Sequence, residues 1–166
     1  AHHQALLAGG SNPWDELVAS LSPRLWLKLD EASGTTANDA SGNNNHGAYQ
    51  GAAGTAYNLN QPPIYPAMGA CARFGSGYVR VPNNANLQFA TQDFIAGVAF
   101  KRDAATGMSQ YPKLLWKTTN YSNGHANYLI QYLRSTNKVS ARVSFAGTPY
   151  FDTPSSLTTF ANATPY

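Results

Sequence analysis

The sequence predicts an all-β protein built as a two-sheet antiparallel sandwich. Segments in which apolar and polar residues alternate with a period of two recur along most of the chain, a pattern typical of half-buried strands. Clusters of Gly, Pro, Asn and Ser separate these segments, as turns require. Only 11% of the 166 residues are charged, a composition typical of a turn-rich β protein. Short strands at this spacing, with a single early helix, favour two packed sheets.

The N-terminal residues differ from the rest, and we expect residues 1–21 to form an arm and a short helix. Asn12 is suited to cap a helix and Pro13 to occupy its first position, and two acidic residues follow in the first turn. A Ser-Pro pair at residues 22–23 ends the helical pattern. The remaining residues, 22–166, form the predicted sandwich.

Six segments carry the strand pattern. They are residues 25–29, 78–82, 93–102, 113–117, 128–133 and 139–145. Residues 51–69 are rich in Gly, Pro and Asn without a clear period, so we expect a long loop there.

Cys71 lies in an apolar context and is expected to be a buried hydrophobic side chain. As the single cysteine, it excludes an internal disulfide and a cysteine-based zinc site.

The distribution of charged and apolar residues argues against binding to nucleic acids and insertion into membranes. The 11 Lys and Arg against 8 Asp and Glu give a net charge of +3, but the basic residues are scattered rather than clustered. We therefore expect no nucleic-acid binding. No apolar run approaches the ~18 residues of a membrane span, so no membrane insertion is expected either.

Four segments match, in order, the patterns of a known family. They are LDEASG at residues 29–34, DASGNNNHG at 39–47, ARFGSGYVRVPNN at 72–84 and LQFATQDFIAGVAFK at 87–101. Together they resemble the concanavalin A-like, laminin-G-like (pentraxin-type) jelly-roll domain. The resemblance covers residues 24–102 and implies that the predicted sandwich is a jelly roll.

A finer resemblance concerns function. The segment NPWDELV at residues 12–18 is similar to a lead-in that often precedes this domain in bacteriophage structural proteins. It implies a non-catalytic virion protein that decorates a head, neck or tail, associates with other virion subunits as a homo-oligomer, and adheres to cell-surface polysaccharides. Residues 1–21 would dock it to the particle. The alternatives are a carbohydrate-binding module of a secreted bacterial protein, and an architectural protein that contacts only other subunits.

The resemblance also sets an expectation for the C-terminal end. Family members continue past a Ser-Leu-Thr segment, here residues 156–158, through two further strands that are not found before Tyr166. We therefore expect the C-terminal strands of the sandwich to be missing, which would leave unpaired strand edges.

Two interpretations are open for the loop at residues 39–47. Asp39, Ser41, Asn43 and Asn45 are candidate calcium ligands, because Ca²⁺ binds six to eight hard oxygen atoms. Alternatively, Asp, Asn and Gly are simply the residues that turns require. Calcium is the one cofactor that the sequence suggests.

A second polar loop is the best candidate for sugar contacts. Its candidate residues are Asn120, Tyr121, Asn123, His125 and Asn127. Sugar sites combine aromatic platforms with amide hydrogen-bonding groups, which this segment supplies. Other tyrosines in or beside predicted loops are Tyr49, Tyr57, Tyr65, Tyr111 and Tyr150. Since Tyr is also common in sheets and at protein interfaces, an architectural role is an equal alternative.

The acidic residues do not favour an enzyme. A glycosidase needs two carboxylates facing each other at ~5–9 Å, and the glucanases of the family carry a Glu-x-Asp-x-x-Glu strand. No such strand is present: the acids after residue 31 are Asp39, Asp93, Asp103 and Asp152. We therefore predict a non-catalytic protein.

Overall fold

Antiparallel β-sheets form most of the computed structural model. It describes residues 12–65, 68–89, 93–102, 112–120, 125–133, 135–136, 138–143 and 151–152, with the backbone alone at residues 118–120, 125–127, 142–143 and 151–152. Across these residues there are three antiparallel sheets and one α-helix, which confirms the all-β prediction. The chain divides into two compact units, Ala1–Phe94 and Ile95–Tyr166. None of the helical segments in the described part of the chain has the length and apolar character needed to cross a bilayer.

The predicted helix is confirmed as α1, Pro13–Ser20. The Asn12 side chain accepts a hydrogen bond from Trp14 N at 3.0 Å, which satisfies one of the N–H groups that a first helical turn leaves unpaired. Pro13 loses nothing at the first position, because its missing N–H would have had no helical partner there. The local sequence therefore accounts for where the helix begins.

The first unit contains two small sheets. One has the order β1 (Thr36–Ala37), β2 (Gly47–Gln50) and β5 (Tyr78–Arg80), and the other pairs β3 (Tyr57–Gln61) with β4 (Cys71–Phe74). All of these pairings are antiparallel. The predicted strand at residues 78–82 is thus confirmed at its first three residues.

Aromatic rings form the core of this unit. Tyr49 and Tyr57 are buried and stack with their ring centroids 4.9 Å apart, and Phe74 lies 6.0 Å from Tyr49. Ala37 and Ala56 complete the buried cluster. Offset or near-parallel aromatic pairs at such distances contribute beyond the area that they bury, so these rings fix the packing of β2 against β3 and β4.

The second unit is a meander of four strands. Their order in the sheet follows the chain: β6 (Lys113–Asn120), β7 (His125–Leu133), β8 (Lys138–Val143) and β9 (Phe151–Asp152). The strands predicted at residues 113–117 and 128–133 are confirmed, and that at 139–145 is confirmed as far as residue 143. Leu129 and Tyr132 are buried in this unit.

The strand predicted at residues 25–29 is wrong. In this segment only Leu27 makes a β-bridge, to Asp39. Leu29 adopts a φ of 57°, a left-handed conformation outside the extended range of a regular strand. In addition, Trp26 N donates to the Asp39 side chain instead of to a neighbouring strand. Leu27 and Leu29 nevertheless pack against the core, so the alternating pattern reported burial without strand pairing.

The long loop predicted at residues 51–69 is also wrong, because β3 lies within it. The register of β3 against β4 shifts between Asn58 and Gln61, and such an irregularity interrupts the period-two pattern.

Cys71, expected to be buried, is only half-buried. Its Sγ donates a hydrogen bond to the Pro62 carbonyl oxygen at 3.0 Å.

The strand predicted at residues 93–102 is not formed. This segment contains no helix, turn or bend, but none of its residues pairs with a strand in the described part of the chain. Ile95 is almost fully exposed. A strand pattern needs a neighbouring ladder to become a strand, and the segment has none here.

Candidate functional site

A single carboxylate organises the loop between β1 and β2. Asp39 Oδ1 accepts hydrogen bonds from Trp26 N at 2.9 Å and Ser41 N at 3.0 Å. Its Oδ2 accepts from Ser41 Oγ at 2.8 Å and Asn45 N at 2.9 Å. Burial opposes ionisation of this side chain, but the four hydrogen bonds outweigh burial and hold the pKa of Asp39 below its usual value. Asp39 is therefore a buried anion whose charge is stabilised by these four donors.

Amide side chains tie the same loop to two other segments. Asn45 Nδ2 donates to the Arg24 carbonyl at 2.8 Å, and Asn43 Nδ2 donates to the Pro23 carbonyl at 3.1 Å. From the other side, Asn84 Nδ2 donates to Asn45 Oδ1 at 2.8 Å. The loop thus joins the chain before β1 to the chain after β5, which explains why its side chains are polar although Asn45 is buried.

A second carboxylate, that of Glu31, also accepts hydrogen bonds that hold the structure together. Glu31 Oε1 accepts from Asn38 N at 2.6 Å, and Glu31 Oε2 accepts from the Tyr49 hydroxyl at 2.6 Å. Burial, and then the bond to Glu31, raise the pKa of Tyr49, so the phenol stays protonated and continues to donate. Glu31 and Asp39 therefore both hold backbone groups in place, and Glu31 also holds the core residue Tyr49.

The candidate calcium ligands come together, but as hydrogen-bonding partners of each other and of the backbone. Both oxygens of Asp39 accept two donors each, Ser41 Oγ donates to Asp39, and Asn45 Oδ1 accepts from Asn84. Within the described residues there is no group of three or more His, Cys, Asp or Glu side chains placed to hold a metal ion. This geometry favours the turn interpretation of the loop; calcium binding stays a prediction to be tested.

The predicted sugar-contact loop is only partly described. β6 ends at Asn120 and β7 begins at His125, and the two residues pair across the hairpin. Asn127 lies within β7 rather than in a loop. Tyr121 and Asn123, and the side chains of the other three candidates, lie outside the described residues.

Two of the other candidate platforms are excluded by burial. Tyr49 and Tyr57 stack in the core and cannot offer a ring face to a sugar, so their prediction as sugar platforms in or beside loops is wrong. The reason is that each lies on an inward-facing position of a strand, β2 or β3. Tyr65 is exposed, whereas Tyr111 and Tyr150 lie outside the described residues.

The sequence interpretation missed a solvent-facing surface on the sheet β1-β2-β5. Its outer face consists of Thr36, Ala48, Gln50, Tyr78 and Arg80. Thr36, Ala48 and Arg80 pair in one row across the three strands, and Gln50 pairs with Tyr78 in the next row. The Tyr-Val-Arg alternation of β5 was the available signal, since it places Tyr78 and Arg80 on one face and Val79 on the other.

Comparison with known proteins adds no assignment. A scan against protein-family models, a search of curated proteins and a search of solved structures found no match to this chain.

Proposed function

We propose that this chain is a non-catalytic bacteriophage virion protein, a jelly-roll sandwich module that assembles with other subunits and adheres to cell-surface glycans. The resemblances of residues 12–18 and 24–102 supply the virion context and the fold. The contacts described above support a non-catalytic role, because Glu31 and Asp39 are engaged in holding the structure together.

The orientation of α1 is the observation that carries the assembly part of the proposal. A surface helix normally turns its apolar stripe to the core. Trp14, Leu17 and Leu21 follow one another at intervals of three and four residues along one stripe, yet they are 42%, 55% and 62% exposed. No residue of α1 is buried.

The polar side of α1 holds it to the body of the unit. Asp15 accepts a hydrogen bond from Lys28 Nζ at 2.9 Å, and the same ammonium lies 3.2 Å from Asp30. The bond to Asp15 raises the pKa of Lys28, so the ammonium stays charged at neutral pH. The helix is thus attached through charge and offers its apolar stripe, which suits contact with another subunit.

Sedimentation velocity of the purified chain tests this assembly role. We expect concentration-dependent oligomers, and we expect the double change Leu17→Gln and Leu21→Gln to return the chain to a monomer. Ala19→Gln is the matched control, because Ala19 is an exposed residue on the opposite side of the same helix. Deletion of residues 1–21 should abolish association with particles and leave the sheets folded. A chain that is monomeric at all concentrations and binds no virion protein contradicts the proposal.

The secreted carbohydrate-binding module is the second candidate function. It is favoured by two exposed aromatic side chains in the first unit, Tyr65 at 63% and Tyr78 at 58%. Such rings are suited to stack on sugars. A glycan array distinguishes the candidates: a defined polysaccharide ligand together with a monomeric, non-assembling chain supports the module over the virion protein.

A further inference from the structure

We propose that the outer face of the sheet β1-β2-β5 binds an acidic polysaccharide, with Tyr78 stacking on a hexuronate ring and Arg80 pairing with its carboxylate. This inference rests on the adhesion part of the proposed function and adds to it a site and a ligand class. It does not depend on the assembly role of α1.

The register of the strands brings the two side chains together. Tyr78 and Arg80 are two residues apart on β5, so they share a face with Cα atoms about 7 Å apart. Both are exposed, while Val79 between them packs on the core. A hexuronate carries its carboxylate at the edge of a ring whose CH face is apolar. A ring lying on Tyr78 can therefore direct its carboxylate sideways to Arg80.

The neighbouring positions supply further polar groups. Ala48 lies between Thr36 and Arg80 in one row, and its side chain is the smallest on the face. Gln50 lies beside Tyr78 and Thr36 lies on the outer strand β1, so an amide and a hydroxyl group share the face with the ring and the guanidinium. Sugar sites combine such polar groups with an aromatic surface.

Charge complementarity selects an acidic over a neutral sugar. The outer face contains one cation, Arg80, and no acid among its five residues. A guanidinium binds a carboxylate through two parallel N–H groups, which gives both orientation and selectivity. A neutral sugar would use only the Tyr78 ring and the amide.

Two glycines hold this face in place. A Cβ on Gly47 would lie 2.5 Å from Val79 Cγ1, and a Cβ on Gly77 would lie 2.8 Å from the carbonyl oxygens of Gln50 and Ala56. Close approach at both positions packs β5 tightly on β2 and on the core. Tyr78 and Arg80 therefore project from a closely packed strand rather than from a loop.

Calorimetric titration of the full chain with oligogalacturonate, in calcium-free buffer at constant salt, tests the inference. We expect binding, and we expect the methyl ester of the same oligomer, which keeps the rings and removes the charge, to bind about tenfold more weakly. Tyr78→Thr, which keeps β-propensity, should lower affinity about tenfold. Arg80→Gln should lower affinity for the acid to that for the ester.

Matched controls are available in the same unit. Tyr65→Thr removes an equally exposed tyrosine, and Arg73→Gln removes an exposed arginine on β4, so both should leave affinity unchanged. Dextran sulfate serves as a polyanion without uronate, and binding to it with equal affinity overturns the inference. Since the ester comparison uses unaltered protein, it decides the charge argument even if a variant fails to fold.

The outcomes separate this inference from the proposed function. If the chain binds glycans and both Tyr78→Thr and Arg80→Gln bind as tightly as the unaltered chain, the site is wrong and adhesion stands. If a glycan array shows no ligand at all, the inference and the adhesion role both fail, and sedimentation alone decides the assembly role.

Discussion

Replacing Asp39 by Asn is the change that most strongly probes how the first unit is held together. The substitution preserves shape but turns one of two accepting oxygens into an NH₂ group. In the best orientation the amide oxygen takes the place of Oδ1 and keeps the bonds from Trp26 N and Ser41 N. The NH₂ group then faces Ser41 Oγ, which can rotate to accept, and Asn45 N, which cannot.

The expected loss of stability has two sources: the lost hydrogen bond from Asn45 N to Asp39, and the buried Asn45 N–H that is left without an acceptor. A hydrogen bond to a charged group contributes about 1.5–3 kcal/mol, and a buried N–H without an acceptor costs about 1–3 kcal/mol. The two effects overlap, and Asn45 is buried, so we expect Asp39→Asn to lower the free energy of unfolding by about 3 kcal/mol.

Urea denaturation followed by tryptophan fluorescence measures this change. A Trp116→Phe background leaves Trp14 and Trp26, both in the first unit, as the reporters. Asp93→Asn is the control, because Asp93 is exposed and should change stability by less than about 0.5 kcal/mol. A loss of less than about 1 kcal/mol for Asp39→Asn would refute the view that this carboxylate organises the loop.

Three further predictions follow from the same contacts. The pKa of Asp39 in the folded protein lies below its unfolded value of ~3.9. The stability that the ionised Asp39 contributes is therefore present above pH ~3.9 and is lost as the pH falls through the folded-state pKa. Asp39→Asn should remove this part of the acid dependence of Tm. Millimolar calcium should leave Tm unchanged, because donors already engage the Asp39 oxygens, whereas a clear rise in Tm would establish a calcium site. Gly77→Ala should lower the free energy of unfolding by about 1–3 kcal/mol, since the added Cβ meets two backbone carbonyls at 2.8 Å. Gly97→Ala is the control: its Cβ would meet nothing within 4 Å, so the free energy of unfolding should change little. Equal urea midpoints for the two variants would contradict the close packing at Gly77.

Local signals in the sequence predicted the elements whose cause is local. The Asn12 cap and Pro13 determine where α1 begins, and the alternation at residues 113–117 and 128–133 corresponds to β6 and β7. At residues 25–29 the same alternation failed, because Leu29 is left-handed and Trp26 N bonds to Asp39, which lies 13 residues further along the chain. The apolar residues Leu27 and Leu29 still pack against the core, whereas Ile95 in the patterned segment 93–102 is exposed. The tertiary structure therefore decides whether a patterned segment is buried and whether it pairs.

The candidate site, too, could be predicted from the sequence only in part. The polar composition at residues 39–47 predicted a structured loop, but composition cannot distinguish oxygens that await a cation from oxygens that already accept protein donors. Likewise, Tyr49 lies beside a predicted loop in sequence, and only the register of β2 with β5 shows that its ring faces the core. The outer face with Tyr78 and Arg80 joins three strands far apart in sequence, so pairing had to be known before the surface could be recognised.

Sedimentation velocity of the unaltered chain beside the Leu17→Gln and Leu21→Gln variant tests the central claim most directly, namely that exposed surfaces carry the function. We expect a concentration-dependent oligomer for the unaltered chain and for Ala19→Gln, and a monomer for the double variant. Identical sedimentation of all three proteins, as monomers or as oligomers, would contradict it, because the exposed stripe of α1 would then have no part in assembly.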